Sequence, residues 1–503
     1  MKKNLVLLLL GLLVFTGCSK DDDTPPVVEE TPEEETPALT REDFEVQDYM
    51  YLAMNEVYLY QPDVPVLRDN YFTSESKYVE FLSQNSDPEV FFYDELVAEG
   101  DRFSFVTDDY VALENQFAGT TKTDGLDLGF NSYNSGNSVY AFALIRYVAP
   151  GSPAAEKGLK RGQIILRING EPLTVSDNAL SDRAIELLSL DNYTLTVSPG
   201  IDSNNQISSN TTDYELNKVE FTENPILIAK TLNVEGQKIG YLMYNSFVRN
   251  FDDELNNAFA QFKADGVTDL VLDLRYNGGG SVDTAIDLCS MITGQFDGQV
   301  LIKEKWNPRY QTYFEAEAPE SLVNRFNSTI FTGTNDQAPI NSLNLNRLYV
   351  IGTGSTASAS ELTVVGLEPY IQVTSIGTTT RGKFQASATL YDSSNFGRQN
   401  ANPDHTYAIQ PLIYEYSNAN DVIGPASGLT PDIQKTEDIA NMGVLGETNE
   451  PLLAAALEAI TGKSFVSKRN QKDPLVLKSI GESGMFSPTY QKMYDNNIPV
   501  IKK

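Results

Sequence analysis

Histidine and cysteine are almost absent: the 503-residue sequence has one histidine, His405, and two cysteines, Cys18 and Cys289. One imidazole and two thiols cannot assemble a typical zinc site, and neither a metal nor another cofactor is expected. A Ser/His/Asp hydrolase would have to rest on His405 alone. That residue lies in Asp404-His405-Thr406-Tyr407, ahead of an apolar strand, and reads as structural. Basic residues are also scarce, 37 Lys and Arg against 69 Asp and Glu, for a formal net charge of -32. This balance argues against nucleic acid or an anionic membrane surface as a partner. The one N-terminal apolar run, Leu5 to Phe15, is too short to span a bilayer as a folded helix.

That run does have a meaning. Lys2 and Lys3 precede it and Thr16-Gly17-Cys18 follow it, the pattern of a secretory signal over residues 1–17. The small residues before Cys18 resemble a lipoprotein processing site, with Phe15 a modest departure, so Cys18 is expected to carry acyl chains and anchor the chain to a membrane. Cys289 then stands alone, no intramolecular disulfide is possible, and stability must come from burial. Residues 18–38 hold Lys20-Asp21-Asp22-Asp23 and mixed Pro, Val and Glu, with almost nothing to bury, and read as an acidic tether. The start of this tether resembles the export signal of surface-displayed lipoproteins in some Gram-negative bacteria, and it serves equally as a charged spacer. An outer-membrane location is expected, on its periplasmic face or at the cell surface.

Residues 39–117 are expected to form a helical N-terminal domain. Thr40 and Asp43 match a capping box, Val46, Tyr49, Met50, Ala53 and Val57 recur at helical spacing, and Asp87-Pro88 marks a second helix start. Residues 118–210 change to short strands: Gly125–Phe130, then Val139–Val148, a short helix opened by Gly151-Ser152-Pro153, a strand Gln163–Ile168, and a tight turn at Asn169-Gly170. This order resembles a PDZ domain. The resemblance implies that Leu128, Gly129 and Phe130 form the loop whose N–H groups meet a peptide's terminal carboxylate while the peptide adds a strand beside it.

From residue 211 onward strands and helices alternate. Leu270–Leu274 is a buried strand that runs into Arg275-Tyr276-Asn277-Gly278-Gly279-Gly280, followed by a helix over Val282–Thr293. A phosphate cradle would need the Gly-Lys-Ser/Thr ending, which is missing. Glycines also let backbone N–H groups approach a reacting carbonyl and stabilise an oxyanion, the better fit here. A second apolar strand, Arg347–Ile351, leads to Thr356-Ala357-Ser358-Ala359-Ser360-Glu361. Ser358 there serves equally as a helix cap, with Glu361 completing the box, or as a nucleophile whose following amide, Ala359 N–H, points at the oxyanion. Lys383, in the mostly uncharged stretch Thr378–Phe384, favours the nucleophile, because a lysine kept neutral by desolvation can take the serine proton. If 383–387 is extended, Lys383, Gln385 and Ser387 share a face and an amide can hold the amine.

These motifs together resemble the C-terminal processing peptidases, or tail-specific proteases. The matching elements run from the helical cap through the PDZ region, Asp273–Gly280 and Ser358–Glu361, to Gly428-Leu429-Thr430-Pro431-Asp432. The resemblance implies a multidomain α/β fold: a helical cap, a PDZ-like β-rich domain and a crotonase-like catalytic core over 211–503. It implies Ser358 as nucleophile, Lys383 as general base 25 residues on, and Gly278, Gly279 or Gly280 with Ala359 as oxyanion donors. The family's orienting glutamine lies four residues after the lysine, where Ser387 stands, so Gln385 is expected to substitute. Substrates would be proteins or peptides with accessible C-termini. Two other classes stay open: a catalytically inactive, peptide-binding surface lipoprotein on the same fold, and a non-proteolytic crotonase-like enzyme. Glu450–Gly462 is expected to be a core-packing helix, and the residues after Lys463 carry no legible pattern.

Overall fold

The computed structural model describes residues 39–135, 138–202, 205–331, 337–465 and 477–495. The expected signal segment, Cys18 and the tether lie outside the described residues. After a 3-10 turn over Arg41–Phe44, the first α-helix runs Glu45–Val57, five residues beyond the expected Thr40 cap. It buries Tyr49, Met50, Ala53 and Val57 on one face. Asp87 caps the helix Pro88–Phe91, its carboxylate accepting from Glu89 N and Val90 N. The N-terminal region is not wholly helical. Phe105–Thr107 is a strand paired antiparallel with Ala408–Gln410. Three residues are too few to show a period, and the partner strand is some 300 residues away.

The PDZ-like sheet has the strand order Thr212–Asn217, Asn192–Ser198, Ile164–Ile168, Ser138–Val148, Leu126–Ser135 and, at its edge, Lys478–Glu482. It extends to Asn217, past the expected limit at residue 210, because Thr212–Asn217 pairs along its whole length with Asn192–Val197. Asn169 and Gly170 both take positive φ, 52° and 78°, as a two-residue hairpin turn requires. Leu128, Gly129 and Phe130 lie within the strand Leu126–Ser135 rather than in a free loop, with a register shift between Asp127 and Leu128. Phe130, Ile145, Ile165, Ile168, Leu195 and Val197 fill this domain's own core.

The larger body is a six-stranded sheet ordered Ile226–Val234, Gln237–Tyr244, Asp269–Asp273, Arg347–Gly352, Gln372–Gly377 and Ile433–Gln434, parallel after its first pair. Its strands read as continuous apolar runs because both faces are covered. Leu270, Leu272, Leu348 and Val350 face the helices Asp252–Asp265, Val282–Thr293 and Ala359–Leu367. Val271, Tyr349 and Ile351 face the helix Pro451–Thr461, which ends at Gly462 as expected. The N-terminal helices share the first of these cores, so the cap and the larger body bury one continuous apolar cluster. Asp269–Asp273 and Arg347–Gly352 are neighbours and parallel, so the two loops at their C-terminal ends, carrying Gly278–Gly280 and Ser358, emerge side by side. In open α/β sheets that is where ligand sites form.

Candidate active site

Ser358 sits between the strand Arg347–Gly352 and the helix Ala359–Leu367 with φ 61° and ψ −117°. A β-carbon-bearing residue in that region costs about 1–3 kcal/mol and persists only where its surroundings hold it. Here they do. Ala357 N donates to Asn277 O at 3.1 Å, Ser360 Oγ donates to the same oxygen at 3.1 Å, and Thr356 Oγ1 donates to Leu274 O at 2.7 Å. Each bond ties the serine loop to the glycine-bearing loop beside it. Ser358 N donates to Glu361 Oε2 at 2.9 Å, the carboxylate half of the anticipated capping box.

The same carboxylate oxygen accepts from Lys383 N at 2.9 Å, while Glu361 Oε1 accepts from Gly382 N at 2.7 Å and from the Thr380 hydroxyl. Ser358 and Lys383, 25 residues apart in sequence, are therefore joined through one oxygen atom. Gly428-Leu429 braces this stretch from outside, Thr380 N donating to Leu429 O at 3.1 Å. The Lys383 side chain is fully buried and its Nζ hydrogen-bonds no described residue. The centroid of the Phe103 ring, contributed by the N-terminal region, lies 5.2 Å from Nζ. Burial, and then the nearby Lys492 ammonium, hold the Lys383 amine well below the usual lysine range. Lys492 itself is pushed down to about 8 by burial. A neutral amine is the form that can accept a proton.

Gln385 does not orient this amine. The regular strand begins only at Gln385, so the alternation expected from Lys383 is broken, and cross-strand pairing aligns Gln385 with Glu415. Its Nε2 donates to Glu415 Oε1 at 2.9 Å. Ser387 is likewise engaged elsewhere, donating to Met493 O at 2.9 Å and accepting from Gln410 Nε2 at 3.2 Å.

Among the glycines, Gly279 N donates to Asn277 Oδ1 at 2.8 Å, which removes it from the expected oxyanion donors and leaves Gly278 and Gly280 beside Ala359. The value of Gly279 is space. At φ 109° a Cβ there would fall 2.6 Å from Ser358 Cβ and 2.8 Å from Lys492 O. His405 is structural, accepting from Tyr407 N at 3.1 Å and stacking on Tyr49 with ring centroids 5.7 Å apart.

The residues that sequence reading passed over are 477–495. Ser358 Oγ donates to Gln491 O at 3.0 Å, and Leu128, Gly129 and Phe130 meet Ser483, Glu482 and Gly481. Glu361 was legible as a cap. Its second role, toward Lys383, had no local signal.

Residues 238–434 match Peptidase family S41, residues 144–185 a PDZ domain, and residues 45–105 the Peptidase S41 N-terminal domain. The chain is 26% identical over 202 residues to the chloroplastic C-terminal processing peptidase of Tetradesmus obliquus, spanning 37% of this chain and 40% of that protein. It is 22% identical over 470 residues to the carboxyl-terminal-processing protease of Synechocystis, spanning 93% of this chain and 95% of the relative. A solved structure of a candidate S41 protease from Bacteroides fragilis superposes with a TM-score of 0.61 at 27% identity, covering 82% of this chain and 97% of that one. With N-terminal, PDZ and catalytic matches following one another in chain order, this protein belongs to peptidase family S41, a family of enzymes that hydrolyse peptide bonds.

Proposed function

We propose that the protein is a serine endopeptidase acting on exported proteins or peptides through a Ser358/Lys383 dyad, with C-terminal tails recognised at the PDZ-like edge. The observation that carries this reading is a serine held at a strained strand-to-helix elbow and bridged by one carboxylate to a fully buried lysine. In the reaction, Lys383 Nζ takes the proton of Ser358 Oγ as that oxygen bonds to the substrate carbonyl carbon. The negative charge moves to the carbonyl oxygen, where Ala359 N–H and Gly278 N–H stabilise it. The lysine returns the proton to the departing amine, leaving an acyl-serine. Water then repeats the sequence, its proton passing through Lys383 back to Ser358.

The uncommitted Lys383 amine and the diverted Gln385 also favour a second reading, a peptide receptor on an inactive peptidase core. Labelling with a fluorophosphonate probe and digestion of casein separate the two. The wild type is expected to label and to digest, and Ser358→Ala to do neither while melting within a few degrees of wild type. A wild type that binds peptide but neither labels nor digests would make it the receptor.

Lys2, Lys3, the run Leu5–Phe15 and Thr16-Gly17-Cys18 support export and lipid anchoring at Cys18, at the outer membrane. Cells fed labelled palmitate are expected to label the wild type and not Cys18→Ser, which would be released in soluble form. Equal labelling of both would remove the anchor.

A further inference from the structure

The chain's own C-terminal region runs along both halves of the site just described. Lys478–Glu482 pairs antiparallel with the PDZ-like edge strand, in the register Lys478 to Ser132, Ser479 to Asn131, Gly481 to Phe130 and Glu482 to Gly129. Leu128 N–H, which the family resemblance reserves for a terminal carboxylate, donates instead to Ser483 Oγ at 2.9 Å. Ile480 enters the domain's apolar core, and the Phe486 ring lies 5.9 Å from Phe130. Glu482 then reaches toward the serine loop: it accepts from Arg146, from the Tyr490 hydroxyl and from the hydroxyl of Ser355, three residues before the nucleophile.

The segment continues over the serine. Gln491 O accepts the Ser358 hydroxyl, and Gln491 N lies 3.2 Å from where a Gly278 Cβ would be. Met493–Tyr494 pairs parallel with Gly280–Ser281, and Ser387 Oγ donates to Met493 O at 2.9 Å. A substrate main chain cannot enter the same space while this one is there. The segment is also a poor substrate. Gln491 has φ 53°, so its backbone is kinked rather than extended, and the serine donates its proton to the carbonyl oxygen rather than to Lys383.

We propose that residues 478–495 are an intramolecular pseudosubstrate, a strand-forming ligand that fills the PDZ-like edge and the serine cleft together until a peptide displaces it. The inference rests on the peptidase reading for its consequence in catalysis, though not for the binding itself. The displacing partner is an extended peptide whose main chain replaces Lys478–Glu482 and whose terminal carboxylate replaces Ser483 Oγ at Leu128 N–H. Because the occupant is tethered, its effective concentration is on the order of millimolar, which only a competing tail of high affinity or high local concentration overcomes.

A reversible cross-link tests this in the full chain with Cys18→Ser. Ser132 and Lys478 are directly opposed, and paired strand residues stand about 4.5–5.5 Å apart between Cα atoms, within disulfide range. The double variant Ser132→Cys/Lys478→Cys is expected to oxidise readily, Cys289 being buried. Two readouts follow. A fluorescein-labelled peptide with the sequence of residues 478–495 is titrated into Ser358→Ala versions, and fluorophosphonate labelling is timed in versions that keep Ser358. The oxidised form is expected to bind the peptide at least tenfold more weakly than the reduced form and to label at least tenfold more slowly. Glu482→Ala, which loosens the occupant, is expected to bind and label severalfold better than wild type. Failure of the cross-link to form overturns the proposal, as does equal peptide binding by the locked, reduced and Glu482→Ala chains. Cleavage of the full chain between Gln491 and Lys492 overturns it too, since the segment would then be a substrate. A chain that binds the peptide only when released, yet never labels, upholds the pseudosubstrate and overturns the peptidase.

Discussion

Lys383→Met is expected to lower kcat/KM for peptide hydrolysis on the order of 10^3-fold, the usual worth of a general base, and at the same time to raise the melting temperature. The two outcomes have one cause. The wild-type amine is fully buried and, among the described residues, makes no hydrogen bond, and leaving a buried donor unsatisfied costs about 1–3 kcal/mol. Methionine fills similar space without that cost. The pH dependence fixes the sign. Burial and Lys492 lower the folded-state pKa of Lys383 well below 10.5, so between that lowered value and 10.5 the unfolded chain binds the extra proton. Stability contributed at this position therefore rises with pH across the window, and the advantage of Lys383→Met should shrink in melts taken toward pH 10. Activity in the wild type should rise with pH to a plateau well below the ordinary lysine range, as the neutral amine accumulates. Lys383→Arg should be as inactive as Lys383→Met, because a guanidinium cannot shed its proton. A variant at Lys383 that keeps near-normal turnover would remove the dyad.

Several parts of this site can be read from the sequence because they are local. The helix Val282–Thr293 starts at Ser281, whose hydroxyl accepts from Thr284 N, and stops at Gly294, so both ends carry their own signals. The strand-to-helix passage around Ser358 follows from the apolar run Leu348–Ile351 and the small polar residues after it. The elbow itself leaves no trace, because one serine at φ 61° has the same composition as one in a common cap. Gln385 was misread for a different reason. Strand alternation determines the side on which a residue lies, but Glu415, 30 residues on, determines what its amide bonds. Nothing local in the sequence marks Phe103 and Phe105 as neighbours of the site. Yet the Phe103 ring centroid lies 5.2 Å from the Lys383 amine, and Lys492 lies over both rings. The C-terminal segment was least legible of all. Its strands are five and two residues long, and the partner of the first is about 350 residues away, so neither period nor proximity marks it.

Glu361→Ala should destabilise the protein by about 4 kcal/mol and cut turnover far more than substrate binding. Its carboxylate accepts from three buried backbone amides, those of Ser358, Gly382 and Lys383, and from the half-buried Thr380 hydroxyl. Hydrogen bonds to a charged acceptor contribute about 1.5–3 kcal/mol each, and water entering the vacated space recovers part of the loss. The kinetic effect is separate from the stability effect. Without the carboxylate, Ser358 N loses its acceptor, the bonds from Ala357, Ser360 and Thr356 are left to hold the elbow alone, and the backbone bridge to Lys383 is cut. Glu361→Gln distinguishes a bridge from simple packing. It keeps the volume but presents an amide NH2, a donor, to at least one N–H that needs an acceptor, so it should fall between alanine and wild type in stability while kcat drops and KM stays nearly constant. Glu361 also raises the Lys383 pKa by its charge. Removing that charge should move the rising limb of the residual pH–rate profile to lower pH, in the direction opposite to a loss of desolvation. A loosened fold that let water reach the amine would move the limb to higher pH. The direction of that displacement, measured on Glu361→Gln below its melting range, decides whether Glu361 acts on the lysine or merely props up the helix.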